Sequence, residues 1–251
     1  MQIHAALGVE PREVVSLIGA GGKTTTLYRL ARELRDDGKK ILVTTTTKIF
    51  KPSKPHVDRL FLVEDVGAFI EQNSVIRPPV IVGAGYRVDE DGKLIGLPAT
   101  WVDELCRSNE FDEIVVEADG AGSRLFKVPS EIEPVIPKSS TLVVWVIAVT
   151  VIGKPLDPAA VHRSERAAAL LSVPSGTILT EEHILKLVDD PAGCLKGVPA
   201  ETRKIALLTH ADSSRDFAQA KGLADGLLNL GFARAVVVSY LDEQPVKATI
   251  H

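Results

Sequence analysis

A short apolar strand that runs into glycines and then directly into an amphipathic helix constrains this chain more than any other feature. Val14-Val15-Ser16-Leu17-Ile18 has the β-branched, apolar content of a buried strand, and Gly19-Ala20-Gly21-Gly22-Lys23-Thr24-Thr25 follows it. From about Thr24 to Asp37 the residues Leu27, Leu30, Ala31 and Leu34 recur at i, i+3, i+4 and i+7, which gives a helix one apolar face. Gly38 is suited to end that helix, and Ile41-Leu42-Val43 opens a second strand. A strand–loop–helix–strand unit of this kind makes parallel strands that need helical cover. The expected class is α/β: a three-layer, P-loop NTPase-like fold with a mainly parallel sheet flanked by helices.

The rest of the chain continues the alternation. Strands are expected near 59–63, 80–82, 113–117, 141–149, 204–208 and 235–239. Asp89-Glu90-Asp91-Gly92 lies between two short apolar runs and reads as a hairpin turn, because Asp-Gly supplies positive φ. Asp157-Pro158 reads as an N-cap and first-turn proline opening a helix through Leu171, with His162 and Arg166 on one face. Asp212-Ser213-Ser214 is placed to cap a last helix carrying Phe217, Leu223, Leu227 and Leu230. With 251 residues, no repeat and no linker, the expectation is one nucleoside-triphosphate-binding domain over 1–251.

Composition narrows the partners. A formal charge of −4 with both signs mixed along the chain offers no basic stripe, so no nucleic-acid partner is expected. The longest apolar run, LVVWVIAVTVI from Leu142 to Ile152, is too short to span a bilayer and suits a buried strand, so no membrane partner is expected either. The first seven residues lack a basic region followed by a long apolar stretch, and Cys106 and Cys194 form no framework or metal spacing. The expected compartment is the cytoplasm.

The glycine loop carries the chemistry. Phosphate oxygens need several backbone N–H groups converging on them, glycine lets the chain wrap closely, and the following helix adds the positive end of its dipole. Gly19, Ala20, Gly21, Gly22, Lys23, Thr24 and Thr25 are therefore the candidate cradle. Lys23 is the charge for the β- and γ-phosphates and Thr24 a ligand for Mg²⁺. One departure stands out: in the pattern G-x-x-x-x-G-K-[ST] the first glycine would fall at Leu17, so a tighter or shifted loop is expected.

A second constellation is Ile114-Val115-Val116-Glu117-Ala118-Asp119-Gly120, a buried strand that delivers acids at its end. Glu117 is the candidate metal-side acid, Asp119 the candidate catalytic group that orders water or shares the metal, and Gly120 a donor to the γ-phosphate. Thr44-Thr45-Thr46-Thr47-Lys48 ends the second strand at the edge where α/β sheets bind ligands, and Thr45 represents that run among the site residues. Asp212, in Leu207-Leu208-Thr209-His210-Ala211-Asp212, stands where GTP-binding proteins read their base, although Thr209 and His210 replace the expected Asn and Lys. The base, ATP or GTP, stays open. Arg124 and Lys127 are further candidates for an anion.

Taken together, residues 14–25, 40–48 and 116–121, with Glu133-Pro134-Val135-Ile136-Pro137, Val161-His162-Arg163 and the late Leu-Thr-His-Ala-Asp segment, resemble the selenium-dependent hydroxylase accessory proteins, the YqeC family. That resemblance implies a P-loop NTPase-type fold and a role in maturing molybdenum hydroxylases, through their molybdopterin cofactor or selenium for it. Three activities fit: an NTP-hydrolysing accessory enzyme, a nucleotide-switched chaperone with little turnover, or an ATP-dependent ligase or small-molecule kinase.

Overall fold

The computed structural model describes residues 1–251. In chain order the elements are α1 (Ile3–Leu7), β1 (Val14–Gly19), α2 (Lys23–Asp36), β2 (Lys40–Thr45), β3 (Lys48–Phe50), β4 (Arg59–Leu62), α3 (Val66–Ser74) and β5 (Val80–Gly85). Then come β6 (Arg87–Val88), β7 (Lys93–Ile95), α4 (Ala99–Ser108), β8 (Glu113–Glu117), β9 (Phe126–Lys127), β10 (Leu142–Ala148), β11 (Val161–His162) and α5 (Ser164–Leu171). The chain ends with α6 (Glu181–Asp189), β12 (Arg203–Thr209), α7 (Ser214–Asn229), β13 (Arg234–Val238) and β14 (Val246–Ile250).

Nine strands form one sheet in the order β14-β13-β12-β10-β1-β8-β2-β5-β4, every pair parallel except β13 with β14. The strand period of two sends neighbouring side chains to opposite faces. Val14 and Ile18 accordingly join a core of 43 buried residues, and Val15 and Leu17 one of 22. The smaller core takes the apolar stripe of α2 with Ile3 and Leu7 of α1; the larger takes Phe69 of α3, Leu105 of α4, Leu187 of α6 and Leu223 of α7. The result is the α/β, three-layer, mainly parallel sheet expected from the sequence. No helix is long and apolar enough to cross a membrane; the run from Leu142 is instead the fully buried β10.

A second, three-stranded sheet, β3-β7-β6, is antiparallel and stands beside the carboxyl ends of β2 and β5. Its β6–β7 turn is the expected Asp-Gly hairpin, with Gly92 at φ 74°. Two expectations fail locally. The helix read from Asp157 begins only at Ser164: the Asp157 carboxylate instead accepts from the amides of Ala159 (2.9 Å) and Ala160 (3.0 Å), and Val161–His162 pairs with β9. Arg163, at φ 61°, then breaks the backbone before the helix, so His162 and Arg166 do not share a helical face. The last helix is capped from within the expected Asp212-Ser213-Ser214 segment, by Ser213 reciprocally with Asp216.

Candidate functional site

Only Ala20, Gly21 and Gly22 separate β1 from α2. The position at which the longer motif has its first glycine, Leu17, is a fully buried strand residue. The loop is thus tighter, as the sequence suggested, and glycine is needed for two reasons. Gly19, Gly21 and Gly22 have φ of 94°, 80° and 133°, which L-residues with a Cβ rarely adopt. A Cβ at Gly19 would also lie 2.2 Å from the Val146 carbonyl oxygen, and one at Gly21 2.6 Å from Ala148.

Backbone bonds fix the loop's root and leave its crest free. The Gly19 amide donates to Asp119 Oδ2 at 3.0 Å and the Ala20 amide to the Val146 carbonyl at 2.8 Å. Helical bonding starts when the Thr26 amide donates to the Gly22 carbonyl. The amides of Gly21, Gly22, Lys23, Thr24 and Thr25 make no intramolecular hydrogen bond. Five unbonded donors at the N-terminus of a fourteen-residue helix are the kind of arrangement an anion needs.

Glu117 ends β8, the strand hydrogen-bonded to β1 on one side and β2 on the other, level with Leu17 and Thr45, and Asp119 follows two residues beyond the strand. Thr24 Oγ1 donates to Glu117 Oε2 at 2.9 Å, and Lys23 Nζ lies 3.9 Å from Glu117 Oε1. Burial pushes the Glu117 carboxyl above its ordinary range; Lys23 and the Thr24 hydroxyl pull the other way, and the neighbouring Asp119 adds to the rise. Two hard oxygens side by side at the cradle suit Mg²⁺ shared with phosphate oxygens. No group of three or more His, Cys, Asp or Glu forms a ready-made protein cage, so the phosphates and water would complete such a shell.

Asp119 stands elsewhere than its expected role implies. It is 2% exposed, beneath the loop, and does not line the cavity. Its carboxylate holds the Gly19 amide, the Lys23 ammonium (2.8 Å from Oδ1, a close ion contact rather than an aligned hydrogen bond) and the Lys127 ammonium at 3.1 Å. Lys127, 1% exposed, extends the chain to Glu133 at 3.0 Å, which meets Arg163 at 2.8 Å. Burial alone would raise the Glu133 carboxyl, but Lys127 and Arg163 outweigh it and hold it low. The sequence marked Lys127 only as a loose anion candidate; its partners, and Arg163 beyond them, come from separate segments and have no spacing signal.

Above the cradle is an open cavity of about 610 Å³. Gly21 to Thr25, Glu117 and Gly120 line it, together with Lys48, Phe50, Lys93, Arg124 and His210. Lys23, Lys48, Lys93 and Arg124 face a single acid, Glu117, which is the charge balance a polyanion needs. Gly19 and Ala20 form its root. Thr45 does not reach it: its hydroxyl donates to the Glu117 carbonyl at 2.7 Å and receives the Thr47 amide at 3.0 Å. Thr44 and Thr46 are likewise spent on the carbonyls of Ala84 and Val135. Asp212 is exposed, accepts from the Ser239 hydroxyl at 2.6 Å and is not among the lining residues.

The family model described as YqeC protein matches residues 15–165, which include the loop, both acids and Lys127. The chain is also 33% identical over 200 residues to Uncharacterized protein YqeC of Escherichia coli (strain K12), an overlap covering 79% of this chain and 77% of the relative. No solved structure matches the chain.

Proposed function

The chain belongs to the YqeC family, and from that membership and the geometry of the loop we propose that it binds a nucleoside triphosphate with Mg²⁺ and works as an accessory protein. Membership supports an accessory role in general; the maturation of molybdenum hydroxylases, through their cofactor, is the finer reading we attach to it. One observation carries the nucleotide assignment: five unbonded amides, an ammonium and a Thr24–Glu117 oxygen pair converge on one cationic cavity.

In this reading the amides of Gly21 to Thr25 hold the phosphates, and Lys23 turns from Asp119 and the Gly19 carbonyl to the β- and γ-oxygens. Thr24 and Glu117 hold the metal, which neutralises charge on the phosphates when bound. Gly120 presents its backbone at the γ end. Asp119 acts as a positioning residue, anchoring the loop root and parking Lys23. A second reading, a nucleotide-switched module with little turnover, is favoured by that placement: Asp119 is enclosed by two ammonium groups and an amide and presents no base to the cavity.

Calorimetric titration with ATP, GTP and their non-hydrolysable analogues, with and without Mg²⁺, tests the assignment. Saturable, Mg²⁺-dependent binding is expected, weakened roughly 10- to 100-fold in Lys23→Ala, the worth of a charge-assisted hydrogen bond. Unchanged binding in a folded Lys23→Ala variant would overturn it. Phosphate release measured in parallel separates a hydrolase from a switch.

A further inference from the structure

The cavity has a second wall that the phosphate cradle does not use. Lys48, Phe50 and Lys93 belong to the small sheet: Lys48 and Phe50 alternate along β3, and Phe50 sits opposite Lys93 across the β3–β7 ladder, so all three share one face. The other face carries Ile49 and Leu94, 6% and 1% exposed, which anchor the sheet. Its seating is close. A Cβ at Gly96 would lie 2.1 Å from the Thr45 carbonyl oxygen, and one at Gly85 2.5 Å from Leu94. Phe50 is nevertheless 72% exposed, turned into a polar cavity with the Lys93 ammonium 5.8 Å from its ring centre and Lys48 steadied by Asp89 at 3.1 Å.

Strand order says which end of a nucleotide this wall faces. Along the sheet β12, β10, β1, β8 and β2 follow one another, and the cavity is lined in the same sense by His210 after β12, the cradle after β1, Glu117 on β8 and Lys48 after β2. The metal-side acid marks the γ end of the polyphosphate, so the nucleoside trails toward His210 and the β3–β7 wall lies beyond the γ-phosphate.

We propose that Phe50, Lys48 and Lys93 form a subsite for a second ligand, a planar aromatic anion, stacked on the Phe50 ring with its negative group between the two ammoniums. An exposed ring offers a stacking face to any planar heterocycle, and paired lysines select for charge. This rests on the nucleotide reading above for its orientation. A planar ring could also come from the neutral base of the nucleotide itself, and the experiment separates the two sources.

The probe is 1-naphthyl phosphate, followed by its own fluorescence, added to protein saturated with Mg²⁺ and a non-hydrolysable ATP analogue. Saturable binding is expected with the analogue in place, with 1-naphthol and inorganic phosphate each at least about tenfold weaker. Phe50→Ala and Lys93→Ala should each weaken the probe about tenfold, and Phe50→Ala, which removes no charge, should leave nucleotide affinity within about twofold. Displacement of the probe by the nucleotide, or equal losses for both ligands in Phe50→Ala, would assign the wall to the base and overturn the proposal, as would a probe indifferent to both substitutions. Should the nucleotide itself fail to bind, that reading falls alone: the probe titration on nucleotide-free protein and its Phe50→Ala variant still decides the subsite.

Discussion

At the scale of single residues, Glu117 and Lys127 invite opposite experiments. Glu117 is an acid whose carboxyl titrates above its ordinary range because it is buried. The folded protein therefore holds that proton more tightly than the unfolded chain does. Its contribution to stability is present at low pH and is lost as pH rises from the ordinary value through the raised one. Metal binding needs the carboxylate, so Mg²⁺–nucleotide affinity should climb through the same window. Thermal melts of the ligand-free protein and calorimetry with Mg²⁺–nucleotide across that range should show these opposed trends, and Glu117→Gln should flatten both. Lys127 is a lysine among the largest fully buried side chains. Replacing it with Met leaves Asp119 and Glu133 each short of a cation, although Lys23 and Arg163 remain to them. A loss of about 3 kcal/mol, the lower end for orphaning a buried charge, is expected in denaturant unfolding.

At the scale of elements, the loop shows what spacing can and cannot convey. Gly19→Ala combines positive φ with a backbone collision at Val146, whereas Gly38→Ala meets open space and only the φ of 89°. The first should cost at least about 3 kcal/mol and the second about 1 kcal/mol, a contrast that paired urea melts would measure. The strand, the loop, α2 and the Asp-Gly hairpin were legible because each is fixed by a local pattern of period 2 or 3.6 or by a turn residue. Thr24 and Glu117 were each legible because one opens a helix after a glycine loop and the other closes a buried apolar strand. β9 and β11 were not: two-residue strands have no period, and the helix signal at Asp157-Pro158 masked an Asx turn. α6 is capped reciprocally by Thr180 and His183, and histidine stands where the familiar signature has Glu or Gln. The Asp119–Lys127–Glu133–Arg163 chain brings together loops from across positions 119–163, which no spacing announces.

At the scale of the whole molecule, the site is the meeting of three adjacent strand ends, β1, β8 and β2, with one helix. A ligand there ties together elements from both faces of the sheet and should protect the fold cooperatively. At a hundred times its dissociation constant, Mg²⁺–nucleotide should add about 2.7 kcal/mol, a rise of roughly 5–10 °C in Tm for a chain of this size. Differential scanning fluorimetry would detect it, and Lys23→Ala should abolish most of it. The three-stranded sheet that walls the cavity exchanges ladder bonds only within itself and joins the main body through a few connecting residues. Its exposed face can consequently change by substitution without disturbing the packed layers below. Descent could therefore retune what this cavity admits by altering the codons for 48, 50 and 93, while the loop at 19–24 and the acid at 117 stay as they are.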